Sequence, residues 1–242
     1  MADGAWDAQA EALRAFTVLA SLRTDWAGSL VLAIGLGPRG AAVSTAGNIA
    51  GAACLAIDQR PEACRAALLS GACDFVVNTV DEALRILKNQ IRQRRPVSVA
   101  LEAGPTAALN ELIDRGVLPE LFTEPPSDTD MLEAATRDRA LQAFAPLGTL
   151  LVDFDGLPSS MPGVISASTQ LNSVTQRRGL HLESFSFANG EELRAFGIRL
   201  QQIVPAEDAR HRWCVAAPRF FHRERSHRRV VCLTAEERAT LR

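Results

Sequence analysis

The sequence predicts an α/β protein of the doubly wound class, a mainly parallel sheet with helices on both faces. Three observations lead there. Short apolar runs recur at intervals of roughly 20–28 residues and end at glycine or polar residues, as strands buried on both faces do. Helix-sized segments separate them, the clearest carrying Val80, Leu84, Leu87 and Ile91 on one stripe. Strand alternating with helix makes βαβ units, whose crossovers cover both faces of one sheet. The first apolar run, moreover, passes straight into a glycine-rich turn ahead of a helical pattern.

Taken in order, Leu13, Phe16 and Ala20 place a helix over Ala8–Arg23. Ser29–Ile34 is too short for a lone helix and reads as the first buried strand. Ala53–Ile57, Asp74–Val77, Val97–Leu101, Glu120–Phe122 and Thr149–Asp153 read the same way. Pro125-Pro126-Ser127-Asp128-Thr129-Asp130 is a turn-rich break, with Asp128 or Thr129 suited to cap the next helix. Beyond Asp153 the pattern weakens: Phe154–Gly163 reads as loop, and a polar stretch runs to Gly179. A strand at His181–Phe187 and a helix at Glu191–Gln202 follow. Residues 1–204 are read as one domain, with the arginine-rich residues 205–242 completing it or packing on it.

At 242 residues the chain can bury roughly 70% of its unfolded surface, ample for one large domain. Its 26 basic and 28 acidic residues give a net charge of −2, which favours neither nucleic acid nor membrane as a partner. No apolar run approaches the ~18 residues of a membrane helix. The acidic N-terminus lacks the basic and apolar regions of a signal peptide, so a cytoplasmic location is expected. Five cysteines without a Cys-x-x-Cys pair fit neither a disulfide framework nor a zinc site, and no metal is expected.

The motif with the sharpest chemistry is Gly35-Leu36-Gly37-Pro38-Arg39-Gly40. It matches G-x-G-x-x-G after a buried strand and before a helix, the setting in which such glycines admit a pyrophosphate. The first permits a tight turn, the second lets backbone approach the phosphates, and the third lets helix and strand pack closely. Arg39 offers a charge-assisted phosphate contact. Asp58 closes the second strand 18 residues beyond Gly40, where an acid can take the ribose hydroxyls. Arg60 beside it leaves room for a 2′-phosphate, which Asp58 would repel. Gly104, at the end of the fourth strand, allows a ligand close approach; a turn with Pro105 opening a helix is the plainer reading. Against all these stands Pro38, which contributes no amide donor.

The candidate cofactor-binding residues are thus Gly35, Leu36, Gly37, Arg39, Gly40, Asp58 and Gly104. No catalytic residue stands out: there is no tyrosine, no G-x-S-x-G, and no cysteine with a local histidine. Arg219–Arg229, with five arginines, His222 and His227, reads as a solvated basic surface or a subunit contact.

With these residues in place, the sequence resembles the central NAD-binding, Rossmann-like domain of the urocanase (urocanate hydratase) family over roughly 200 residues. Leu30–Gly37 resembles the strand entering that family's GLGGMGGAQ loop, and Cys54–Asp58 its second strand and following acid. Asp81–Leu84, Arg95–Val99 and Arg115–Pro119 fit its next elements; His211-Arg212-Trp213 and Glu237-Arg238 echo its close. The departures fall on the cofactor contacts. Pro38-Arg39 replace Gly-Met, Ala41 and Val43 replace the next glycine and the glutamine, and Gly104-Pro105 stand at an Asn-Ala position. Pro125–Thr129 stand in place of Gln-Thr-Ser-Ala-His.

The resemblance implies NAD as cofactor and, in the family, an outer core that carries the catalytic cysteine and the substrate pocket. The chain matches only the central domain. The expectation is therefore a stand-alone urocanase-like protein that binds NAD or a related phosphorylated ligand and is not a complete hydratase. A homo-oligomer or a partner protein is expected with it. The alternatives are a partner-dependent urocanate hydratase-like lyase and a non-catalytic interaction module with a degenerate cofactor site.

Overall fold

The computed structural model describes residues 7–125, 132–154, 162–222 and 226–241. Helix α1 (Ala8–Leu22) leads into β1 (Leu30–Ile34), α2 (Pro38–Ala50), β2 (Ala53–Asp58), α3 (Pro61–Ser70) and β3 (Phe75–Val77). Then come α4 (Val80–Arg92), β4 (Val97–Glu102), α5 (Pro105–Asp114), β5 (Leu121–Thr123), α6 (Ala134–Phe144) and β6 (Leu150–Asp153). The chain finishes with β7 (Val164–Ser166), α7 (Ala167–Arg178), β8 (His181–Ser186), α8 (Gly190–Ile203), α9 (Ala209–Phe220), β9 (Arg228–Leu233) and α10 (Ala235–Thr240).

Seven strands form one parallel sheet in the order β3-β4-β2-β1-β5-β6-β7. The sheet is doubly wound, as the alternating pattern predicts. Strand parity divides its two faces. Leu30, Leu32, Ile34, Leu55, Val99 and Phe122 pack with Leu84, Leu109 and Phe144 of α4, α5 and α6. Val31, Cys54, Leu121 and Val152 pack with α1, α2 and α9 on the other side. There α2 can lie close because its sequence is small: a Cβ on Gly47 would meet Cys54 Sγ at 2.5 Å.

The segment beyond Pro205 packs into the body of the fold. Trp213, Cys214, Ala217, Val230 and Val231 join the same apolar cluster as Phe16 and Leu19 of α1. β9 pairs antiparallel with β8, and its other edge is held by side chains. Gln9 accepts from the Val230 amide at 2.6 Å, and the Trp213 indole donates to the Val230 carbonyl at 2.9 Å. The expected solvated or contact face at Arg228 and Arg229 is corrected by this arrangement. Arg228 grips both oxygens of Asp7 at 2.6 and 2.7 Å, and Arg229 is buried. Arg223 and Arg225 lie outside the described residues.

Two local expectations also change. The helix after the Pro125–Asp130 break starts at Ala134 with Glu133 at its N-cap, and Asp128 and Thr129, the expected caps, lie outside the described residues. The polar stretch before Gly179 contains β7 and α7, which bury only Ala167 and Val174 and so give little periodic signal. Among the described residues no helix is long and apolar enough to cross a membrane.

Candidate functional site

The sheet reverses its strand order between β1 and β5, since β2, β4 and β3 lie to one side and β5, β6 and β7 to the other. Ligands of open α/β sheets bind beyond the carboxyl ends of the strands at such a switch point. The glycine turn stands at the carboxyl end of β1. Gly35 has φ of 100°, a conformation side chains rarely adopt, and its amide donates to the Ile57 carbonyl at 2.7 Å. The Leu36 amide donates to Oδ2 of Asp58 at 2.7 Å. α2 then begins with Gly37 as N-cap and Pro38 at the first helical position. Gly40 allows the approach, because a Cβ there would lie 2.0 Å from the Gly35 carbonyl oxygen.

Pro38 is exposed. It occupies a position whose amide has no intrahelical acceptor in any helix, so it removes one outward donor and no helix bond. The Gly37 and Gly40 amides have no protein acceptor among the described residues. The turn therefore offers backbone donors at a positive helix end.

Asp58 is brought to the turn but faces inward. Its side chain is wholly buried, and both its oxygens are hydrogen-bonded within the protein. Oδ1 accepts from the Arg60 amide at 2.9 Å and Arg60 Nε at 3.0 Å; Oδ2 accepts from Leu36 and from an Arg60 terminal nitrogen at 2.8 Å. Burial pushes this carboxyl up, but the Arg60 side chain and the two amides outweigh burial and hold it below 3.8. What Asp58 does in this structure is fasten β2, the glycine turn and Arg60 to one another.

Gly104 reaches the same edge, because β4 pairs with β2 and the Ala103 amide donates to the Asp58 carbonyl at 3.2 Å. It caps α5 without a side chain, and nothing lies within 4 Å of where its Cβ would be. A hollow of about 630 Å³ opens here, walled by Gln59, Gly104, Thr106, Leu132, Glu133 and Arg137. It adjoins the turn through Gln59 and contains none of Gly35–Gly40. Arg39 points elsewhere, onto a small apolar hollow of about 110 Å³ walled by Val18, Val43, Phe154 and Leu171. Gly104→Ala should lower the melting temperature by no more than about 2–4 °C, the worth of a lost glycine cap. A thermal melt checks this, and a larger fall would mean that the position is packed after all.

Spacing did not reveal the acid on the other side of the switch point. Glu124, just past β5, is buried and bound by Arg137 of α6 through Nε at 2.6 Å and a terminal nitrogen at 2.8 Å. Thr123 before it is wholly buried, and its hydroxyl has no partner among the described residues. The available signal was positional, since both residues end the strand beside β1. Helix capping also divides the molecule. α1, α4, α7, α8, α9 and α10 have side-chain caps. α2, α3, α5 and α6, which follow β1, β2, β4 and β5, have none. Their first amides are left for something other than their own cap.

A family model described as the urocanase Rossmann-like domain matches residues 9–135. That span is more than half the chain. The chain belongs to the urocanase family. In this urocanase-family protein the match runs from α1 to the start of α6 and includes the glycine turn, Asp58 and Gly104. β6 and everything after it lie outside it.

The cysteine side chains lie inside the fold, all five of them buried. Burial pushes Cys54 and Cys64 up to about 12 and Cys214 up to about 11, and it raises Cys73 and Cys232 as well. A thiol so protonated is a poor nucleophile. Among the described residues no group of three His, Cys, Asp or Glu side chains is placed to hold a metal.

Proposed function

We propose that this urocanase-family protein binds a dinucleotide of the NAD type across the switch point and does not by itself hydrate urocanate. The observation that carries the reading is the uncapped N-terminus of α2, which presents the Gly37 and Gly40 amides where a pyrophosphate sits in Rossmann-like domains. The hollow beside Gly104 has the volume for an adenosine moiety. The buried, protonated thiols support the second half: a thiol that acts on an imidazole substrate would have to come from outside these residues.

Titration calorimetry of the full chain with nicotinamide dinucleotides tests the first half. Heats of binding are expected that disappear in Gly37→Pro, which removes an amide at the turn. Flat heats at millimolar dinucleotide would end this reading. Incubation of the chain with urocanate and NAD should leave the ultraviolet absorbance of urocanate unchanged. Its loss would identify a complete hydratase instead.

A further inference from the structure

We infer that β8 is a docking edge for a second copy of this chain, the two β8 strands pairing antiparallel across a two-fold axis at Ser184. The inference is independent of the dinucleotide reading above. β8 and β9 form a two-stranded sheet whose register runs without a bulge from His181 opposite Leu233 to Ser186 opposite Arg228. Its two outer edges differ. On β9 the edge is sealed by side chains: Gln9 accepts from the Val230 amide at 2.6 Å, Trp213 donates to the Val230 carbonyl at 2.9 Å, and Arg210 donates to the Cys232 carbonyl at 3.1 Å. On β8 the Phe187 amide donates to the His227 carbonyl at 2.8 Å. By alternation the amides and carbonyls of Leu182, Ser184 and Ser186 point away from β9. These groups have no partner among the described residues, and all three residues are exposed.

An unpaired strand edge is a template for another strand, and proteins blunt the edges they leave to solvent with short strands, proline, lysine or bulges. The edges of the seven-stranded sheet follow that rule, since β3 and β7 have three residues each. β8 has six, and none of them is proline, glycine, lysine or arginine. The strand is also held in place, because Phe185 and Phe187 each pack on Phe196 with ring centroids 4.8 Å apart. The occupant follows from the register. With the axis at Ser184, Leu182 faces the partner's Ser186, Ser184 faces the partner's Ser184, and Ser186 faces the partner's Leu182. Each such pair exchanges two backbone bonds, so every outward group of the strand is satisfied by the strand's own sequence. Glu183 then lies opposite the partner's Phe185, with its charge already met by Arg238 at 3.0 Å. The two copies of Glu183 approach only diagonally, about 7–8 Å apart. Moving the axis to Glu183 or Phe185 loses one of the pairs, and at Glu183 it sets like charges directly opposite, which destabilises a sheet.

Analytical ultracentrifugation of the full chain over a roughly hundredfold dilution series should show a dimer that dissociates on dilution. Ser184→Pro removes the amide at the axis and no bond to β9, since that amide points outward. Ser184→Lys sets two ammonium groups face to face at the same place. Each should weaken dimerisation about tenfold or more. A monomer at every concentration overturns the inference, as does a dimer that either variant, once shown to be folded, leaves unchanged. Hydrogen exchange on the unaltered chain needs no variant. The amides of Leu182, Ser184 and Ser186 should be protected in the dimer and exchange freely on dilution, while those of Glu183 and Phe185 stay protected in both. Free exchange of those three in a concentrated sample refutes the β8 edge, whatever else joins the copies.

Discussion

Gly40→Ala should lower the melting temperature by about 6–12 °C or leave the protein insoluble. The added methyl would lie 2.0 Å from the Gly35 carbonyl oxygen and 2.9 Å from its carbon. Both atoms are backbone, so no rotamer change relieves the contact. The backbone cannot retreat either, since Gly35 is tied to Ile57 and Leu36 to Asp58, each at 2.7 Å. Overpacking a relaxed core costs about 1–3 kcal/mol, and a pinned turn belongs at the top of that range. At roughly 2–4 °C per kcal/mol for a chain of this size, the expected shift follows. Gly47→Ala supplies the contrast, because its methyl would meet the Cys54 side chain at 2.5 Å. Cys54→Ala should rescue Gly47→Ala, whereas no side-chain truncation should rescue Gly40→Ala. A Gly40→Ala protein that melts within about 2 °C of wild type would show that the turn is not held as described.

Central elements of the fold were legible because they are buried on both faces. Leu30–Ile34 and Ala53–Ile57 are apolar and buried throughout, so composition alone marks them. The Val80–Ile91 stripe likewise announced α4. β7 was invisible because it is three partly exposed residues at the sheet's edge. In the C-terminal unit the partners of two arginines escaped notice for a different reason. Arg228 and Arg210, which composition assigns to solvent, turn inward to Asp7, Asp208 and Glu237. Charge pattern along a sequence carries no information about a partner as distant as Asp7 is from Arg228.

The site was legible to the same degree. Glycine spacing located the turn, because each glycine answers a local steric need that any βα turn of this kind has. The engagement of Asp58 was not legible. Its bond to Leu36 depends on β1 and β2 ending side by side in register, and its grip on Arg60 depends on the chain folding back at once after β2. Sequence read the acid as a ribose ligand; the structure uses it to fasten the turn. Where β4 is inserted between β2 and β3 the strand order departs from simple succession. That order brings Gly104 beside Asp58, a neighbourhood no local pattern contains.

Replacing Arg210 by methionine should cost about 3 kcal/mol, and the loss should shrink as the solution is acidified. Arg210 lies buried on α9 and ties three elements together. It donates to the Cys232 carbonyl of β9 at 3.1 Å, to both oxygens of Glu237 on α10 at 2.7 and 2.8 Å, and to Asp208 at 2.7 and 3.0 Å. Asp208 caps α9 and also meets Arg178, while Glu237 closes a capping box with Thr234. Methionine fills most of the stem's volume but takes the guanidinium donors away from two carboxylates and a strand carbonyl, leaving Asp208 with Arg178 and a backbone amide and Glu237 with the Thr234 amide. Removing one member of a buried pair costs about 3–5 kcal/mol, and the partial exposure of these acids points to the lower figure. Burial pushes both acids up, yet the Arg210 hydrogen bonds outweigh it, holding Asp208 at about 2 and Glu237 below 4.5. Groups with depressed values stabilise the fold fully above their unfolded pKa values, 3.8 and 4.5. That contribution fades as pH falls through the folded value of about 2 for Asp208. Wild type should therefore lose stability between roughly pH 5 and pH 2, and Arg210→Met should follow a flatter acid limb. Urea midpoints measured from neutral pH downward should converge for the two proteins. Parallel curves would mean that Arg210 holds α9, β9 and α10 by packing of its stem rather than by its charge.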